Sequence, residues 1–302
     1  MDVVVPVDRL PRLGETIAGS DFALFPGGKG ANQACAAARL GGVVTMIAQV
    51  GGDAFGTALV HSLREAGVNT FHVGLSARPT GCASIYVLPG GENAIVISPG
   101  ANATLDPAAA LARLGAIGGA GLVLCQLEIP IETVEASFQA ARERGATTIL
   151  DPAPARPLPP SLLRMVDFLT PNQSEAAALL GNPSWSIRDF IDAEEAAAGL
   201  LALGPATVVM KLGALGCLVA GGERRLRVEG WEVAAVDTTG AGDAFNGAFA
   251  VALAEGNPVA EAAVFANAAG AMCVTRRGAQ ASLPGRVELD RFLLLASASA
   301  MA

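Results

Sequence analysis

The chain has 302 residues, of which 52% are hydrophobic and 16% charged, so one large domain or two modest ones can bury a sizeable core. A net charge of −8 excludes nucleic acid and anionic membrane surfaces as partners. Five scattered cysteines without Cys-x-x-Cys spacing, two isolated histidines (His61 and His72), no visible secretory leader and no unbroken apolar run of about 18 residues exclude a disulfide frame, a His-based metal site and a membrane span, and predict a cytoplasmic protein.

In chain order, Val3–Phe25 reads as extended and turn-rich, without a helix. Gly30–Leu40 is Ala-rich and helical, Val43–Val50 is of buried-strand type, and Asp53–Ala66 is an amphipathic helix stopped by Gly67. Cys82–Leu88 and Ala94–Ser98 flank Pro89–Asn93 as a hairpin. Gly121–Gln126 is an apolar strand, Ile131–Arg144 a helix stopped by Gly145, and Thr147–Leu150 a strand running into Asp151-Pro-Ala-Pro-Ala. Then come a short extended piece at Asp167–Thr170, helices at Glu175–Leu180 and Ala193–Leu203, a strand at Thr207–Lys211, and an apolar helical run over Ala244–Leu253. The last residues, Ala296–Ala302, are expected to fray.

Apolar strands alternating with helices imply a parallel sheet covered on both faces, with ligands gathering at the carboxyl ends of its strands. Lys29, Glu128, Asp151, Asn172, Lys211 and Asp243 all follow strand-like segments or open the helix after one. The β-rich stretches 3–25 and 80–98 stand outside this rhythm and read as a small β-sheet lid on a single domain, 1–302.

Four stretches carry chemistry. In Asp237-Thr-Thr-Gly-Ala-Gly-Asp243, the small residues Gly240, Ala241 and Gly242 lead into a helix, where backbone N–H groups and the helix dipole favour an anion. Asp243 in that turn is either a helix cap or a base placed to deprotonate a hydroxyl beside a phosphate. Gly27-Gly28-Lys29-Gly30-Ala31-Asn32 lacks Walker A spacing; it is a glycine turn before a helix, or a place where polyol hydroxyls approach the backbone beside Lys29 and Asn32. Asn172 and Glu175 are a capping pair or orient water around Mg²⁺. Arg276-Arg277-Gly278 with Ser282 is a solvated loop, a phosphate patch or a cation loop. The only lysines are Lys29 and Lys211, a mild pointer to function at glycine-rich turns.

Taken together, Gly-Lys-Gly-Ala-Asn early, Asn-x-x-Glu in the middle and Gly-Ala-Gly-Asp late resemble the ribokinase-like (PfkB-type) carbohydrate kinases over about residues 2–293. The signature regions are 27–51 and 236–249. Finer matches are Gly27–Ala34, Pro99–Ala103, Gln126–Glu128, Pro152–Ala155, Thr170–Asn172 and Val274–Gln280. The resemblance implies a three-layer αβα sandwich with a mostly parallel central sheet and a β lid, and ATP-dependent phosphorylation of D-ribose at its 5-hydroxyl.

The resemblance also implies the roles of matching positions. Asp243 is the general base, and the backbone from Thr239 through Gly240 and Ala241 to Gly242 is the anion hole. Asp2, Gly28, Lys29, Asn32 and Glu128 contact the sugar. Asn172, Lys211, Leu212, Gly213, Ala214, Leu215, Gly216, Gly242 and Asn267 form the nucleotide site, with Glu175 in the Mg²⁺ region. Lys211 stands where the family often has a neutral residue. Asp237, Thr239, Cys273, Arg276, Gly278 and Ser282 match a monovalent-cation (K⁺) site built in part from carbonyls. The partners are a sugar and ATP, and the lid pairs two subunits into a homodimer.

Family members begin with a strand ending in Asn-x-Asp, and Met1-Asp2 falls at the end of that motif, so the natural chain is expected to extend upstream. Other readings are a kinase for deoxyribose, fructose, ketodeoxygluconate or a nucleoside, or a non-catalytic sugar- or nucleotide-binding relic. An NAD-dependent dehydrogenase is discounted, because no Gly-x-Gly-x-x-Gly follows a first strand.

Overall fold

The computed structural model describes residues 1–299, with side chains through Leu295. The strands are β1 (Asp2–Pro6), β2 (Ala23–Phe25), β3 (Ala48–Gly51), β4 (Val73–Ser76), β5 (Cys82–Val87), β6 (Asn93–Ser98), β7 (Leu122–Cys125), β8 (Thr147–Leu150), β9 (Phe168–Leu169), β10 (Thr207–Lys211), β11 (Gly216–Gly221) and β12 (Arg224–Glu229). They form a six-stranded sheet in the order β12-β11-β10-β9-β8-β7, a four-stranded sheet β2-β1-β5-β6 and a pair β3-β4. The run β7 to β10 is parallel, as expected; the antiparallel strands β11 and β12, which the sequence reading did not list, make the sheet mixed. Among the described residues, β7 and β3 each have a ladder partner on one side only.

Alternation along the strands builds two cores, because successive side chains point to opposite faces. Ile149, Val209, Cys217 and Val219 pack on the helices that contribute Phe249, Val251, Ala266 and Leu289. Their neighbours Leu150, Val208, Met210 and Leu218 pack on the other face, against Val134, Phe138, Ala197 and Leu200. This is the expected three-layer arrangement. Burial pushes the Cys125 and Cys217 thiols up to about 12, so both are unreactive.

The four-stranded sheet is the expected lid. Its hairpin β5–β6 pairs antiparallel, while β1 runs parallel to β5 and antiparallel to β2. Its partly exposed apolar residues include Phe25, Ile95, Val96 and Ile97.

One boundary expectation needs correction. The strand expected at Val43–Val50 begins only at Ala48, and Val43 is fully exposed, because Gly41 and Gly42 turn the chain before it enters the sheet. The last helix runs Arg286–Ser299, and residues 300–302, part of the segment expected to fray, lie outside the described residues.

One helix crossing positions the site. The helix Lys29–Arg39 lies against the helix Ala241–Ala254, and a Cβ on Gly247 would stand 2.6 Å from Ala36 Cβ and 2.8 Å from the Gln33 carbonyl. Only glycine permits that approach. It brings Asn32 and Gln33 against Asp243.

Candidate active site

The site gathers at the carboxyl ends of β7, β8 and β10, where three helix starts meet them. Asp243 is at the third position of the helix Ala241–Ala254, whose N-cap is Gly240 with φ +81° and no side chain to offer. The N–H groups at such a helix start lack intrahelical acceptors. Asp243 is therefore not the cap. Its carboxylate is buried, and both oxygens are held: Oδ2 accepts from Asn32 Nδ2 at 2.9 Å and Oδ1 from Gln33 Nε2 at 2.9 Å. Burial pushes its pKa above the ordinary carboxylate value and the nearby Asp151 adds to this, while Lys29 and the two amides act in the opposite direction.

The expected sugar contacts converge on the same place. Gly28 is the N-cap of the Lys29–Arg39 helix, and the Lys29 backbone N–H donates to Glu128 Oε2 at 2.9 Å. Burial raises Glu128, with its bond to Lys29 opposing. Burial alone would lower the Lys29 ammonium, but Asp243, Asp151, Glu128 and Glu175 outweigh it and hold the group above its ordinary value. Asp2, on β1, places its carboxylate against Gly27; burial raises it and the chain's amino terminus opposes. The lid strand β1 and the glycine turn thus face one another across the site.

At the end of β10, the Lys211 ammonium pairs with Asp151 Oδ1 at 2.9 Å. It lies beside the first turn of the Asp243 helix, 3.6 Å from where a Cβ on Gly242 would stand. Leu212 is buried, and Gly213–Leu215 form a 3₁₀ turn leading to Gly216 at the start of β11. Asn267 donates to the Glu229 carbonyl at 2.7 Å, tying its helix to β12.

Asn172 and Glu175 form a complete capping box. Asn172 Oδ1 accepts from the Glu175 N–H at 2.8 Å, and Glu175 Oε2 accepts from the Asn172 N–H at 2.8 Å. Burial and Asp151 raise Glu175, and Lys211 and Lys29 oppose them. No group of three His, Cys, Asp or Glu side chains that could hold a metal ion occurs among the described residues.

The expected cation loop closes on itself. Asp237 accepts from the N–H groups of Thr239 at 2.9 Å and Gly278 at 2.8 Å; burial raises its carboxyl, but these bonds and Arg277 outweigh it and hold it low. Cys273 Sγ lies 2.9 Å from Ser282 Oγ and 3.7 Å from the Thr239 carbonyl. The Arg276 guanidinium turns away to an exposed pair with Glu288 at 2.9 Å, leaving only backbone for the loop. A groove of about 610 Å³ between β12 and the helices Val259–Cys273 and Arg286–Ser299, lined by Trp231, Val264 and Phe265 among others, contains none of the residues gathered around Asp243.

The sequence pattern singles out Lys29, Glu128, Asp151, Asn172, Lys211 and Asp243 as strand-end or helix-opening residues, and the fold brings all six to one region. The pattern assigns no role to Gln33, Gln126 or Asp151. Asp151 carries a signal, a lone acid at a strand end; the two glutamines carry none.

The pfkB family carbohydrate kinase model matches residues 1–286. The chain belongs to the pfkB family of carbohydrate kinases. It is 42% identical over 293 residues to the ribokinase of Bacillus subtilis, covering 97% of this chain and 96% of that one. The ribokinase of Thermotoga maritima superposes with a TM-score of 0.86 at 38% identity, covering 97% of this chain and 95% of that one. The ribokinase of Arabidopsis thaliana, solved with ribose and ATP, superposes with a TM-score of 0.88 at 35% identity over the same shares. Among the described residues, no helix is long and apolar enough to cross a membrane. The family member is a phosphotransferase acting on an alcohol group, and ATP is its nucleotide.

Proposed function

We propose that the chain transfers the terminal phosphoryl group of ATP to the 5-hydroxyl of D-ribose, giving D-ribose 5-phosphate and ADP. The observation that carries this reading is the buried Asp243 carboxylate, oriented by two amides in the first turn of a helix whose N-terminal N–H groups are open to an anion. In this reading Asp243 takes the proton of the hydroxyl as its oxygen attacks the γ-phosphorus. The bond to the β–γ bridging oxygen breaks, and ADP leaves. In the turn from Thr239 to Gly242, where Asp237 holds the Thr239 N–H and the Thr238 carbonyl accepts from Ala241, the N–H groups of Gly240 and Gly242 stabilise the charge on the transferring group, so catalysis is positioning plus electrostatics. The raised pKa of Asp243 favours it as a base.

Asp2, Gly28, Lys29, Asn32 and Glu128 hold the sugar hydroxyls: carboxylates accept, and the ammonium and amide donate. Asn172, Lys211 to Gly216 and Asn267 border the nucleotide. Glu175 fits a Mg²⁺ that keeps most of its water, because its Oε2 serves the capping box and the other carboxylate oxygen remains for a water ligand. When bound, Mg²⁺ supplies charge neutralisation on the phosphates. Oxygen atoms of Asp237, Thr239, Cys273, Arg276, Gly278 and Ser282 would hold K⁺; the convergence of Thr239 O, Ser282 Oγ and Cys273 Sγ fits such a loop. Two copies pair through the lid face carrying Ile95 and Ile97 in the cytoplasm; sedimentation at a monomer mass would remove the dimer from this reading.

The test is ADP release with Mg²⁺–ATP and D-ribose, with and without K⁺, beside deoxyribose, fructose and adenosine. Ribose-dependent turnover raised by K⁺ is expected. Faster turnover with another acceptor would reassign the sugar, and ribose-independent hydrolysis alone would overturn the reading.

A further inference from the structure

The mechanism above uses Asp243 and leaves unexplained the second buried carboxylate beside it. Asp151 follows β8 and is almost wholly buried, as is Gln33. A buried carboxylate is tolerated only when paired and hydrogen-bonded. Asp151 has both partners: Oδ1 accepts from the Lys211 ammonium at 2.9 Å, and Oδ2 accepts from Gln33 Nε2 at 2.8 Å. The same Gln33 nitrogen donates to Asp243 Oδ1 at 2.9 Å. One NH₂ group thus bridges two carboxylates with its two hydrogens. Its orientation is locked from behind, because Gln33 Oε1 accepts from Gln126 Nε2. A flipped amide would turn a carbonyl oxygen toward both carboxylates.

We infer that Gln33 and Asp151 are positioning residues for phosphoryl transfer, forming one buried bridge that ties the Asp243 carboxylate to the Lys211 ammonium beside the anion hole. The inference rests on the reading of Asp243 as the base. The bridge fixes both ends. Gln33 aims one oxygen of Asp243, leaving the carboxylate in a single orientation toward the acceptor hydroxyl. Asp151 takes one of the three ammonium donors of Lys211 and keeps the cation against the first turn of the Asp243 helix, near Gly242, where the phosphoryl group arrives. A plain buried ion pair would stop at Asp151 and Lys211; the continuation through Gln33 to the base is what makes it a device of the reaction.

The two links act on Asp243 with opposite sign. Asp151 is a like charge and favours its protonated form, whereas the Gln33 donor favours the carboxylate. The other groups facing Asp243 are Lys29 and Asn32 from the same helix as Gln33, Glu128 after β7, and Cys273 from the helix Val259–Cys273; none is altered by the variants below. Asp151→Asn keeps the shape but satisfies only one neighbour, since its carbonyl oxygen serves either Lys211 or Gln33 and its NH₂ then meets the other donor. Gln33→Leu removes the bridge outright.

The experiment compares wild type, D151N and Q33L by kcat/KM for ribose against pH at saturating Mg²⁺–ATP, and by ¹³C NMR titration of the Asp243 carboxylate, assigned with Asp243→Asn. D151N is expected to move the titration and the acid limb to lower pH, and Q33L to move them to higher pH. Each variant is expected to lower kcat about tenfold with KM for ribose little changed, as loss of orientation requires. Titrations that do not move, or that move in the same direction, would overturn the bridge. If D151N does not fold, Q33L decides alone: a shift to higher pH supports the bridge and no shift overturns it. A wild type inactive on ribose counts against the proposed reaction, while the NMR titration still judges the bridge.

Discussion

Two helix starts in this molecule carry an acid at the same position and use it in opposite ways. Glu175 and Asp243 are both the third residue of their helices. Behind Glu175 stands Asn172, whose side chain caps the helix and whose N–H donates to the acid in return, so Glu175 is drawn back into a capping box. Behind Asp243 stands Gly240, left-handed and without a side chain, so nothing reaches back to the acid. Its carboxylate is left to the amides of a neighbouring helix. The N-cap residue decides whether an acid in the first turn serves its own helix or the cleft.

The comparison is broken most severely at Asp243. Asp243→Asn removes the base, and kcat is expected to fall by roughly 10²–10⁴ in the ribose-dependent ADP assay. The same variant is expected to lose the part of the wild type's pH-dependent melting that comes from this carboxyl. The native carboxyl holds its proton to a higher pH than the unfolded chain does, so stability falls as pH rises from the ordinary carboxylate range through the raised value, and the penalty is complete above it. The asparagine does not titrate, although its NH₂ meets one of the two amide donors and costs stability at every pH. A pH dependence of melting equal to that of wild type would count against the burial argument.

Gly240→Ala tests the cap itself. The residue has φ +81°, and its Cβ would stand 3.0 Å from Ala279 Cα, so a loss of about 1–2 kcal/mol in urea unfolding is expected together with a drop in kcat. Unchanged unfolding would mean that the turn relaxes freely. The smallest effect is expected on the other helix. Asn172→Ala should cost about 1 kcal/mol through the lost cap, whereas Glu175→Gln keeps an acceptor for the Asn172 N–H and should stay near wild-type stability while raising the Mg²⁺ concentration needed for turnover. Equal destabilisation by both variants would assign Glu175 to the cap alone.

The periodic features of this chain are legible in its sequence alone. The alternating strands β7, β8 and β10, the helices after them and the hairpin β5–β6 follow from side-chain period and glycine stops, which are local properties. So does the glycine-rich entry to the helix bearing Asp243. The same local evidence left Asp243 poised between cap and base and gave Gln33 and Gln126 no role, because an amide in an Ala-rich helix or at a strand end looks like any polar residue. The tertiary structure alone decided those questions. Gly247 lets two helices cross closely enough to set Gln33, 210 positions away in the chain, on Asp243, and β8 and β10 end where Asp151 and Lys211 complete the bridge. Hydrophobic period determines which elements form, but hydrogen bonds between distant side chains depend on how closely those elements approach, and only the packed core sets that distance.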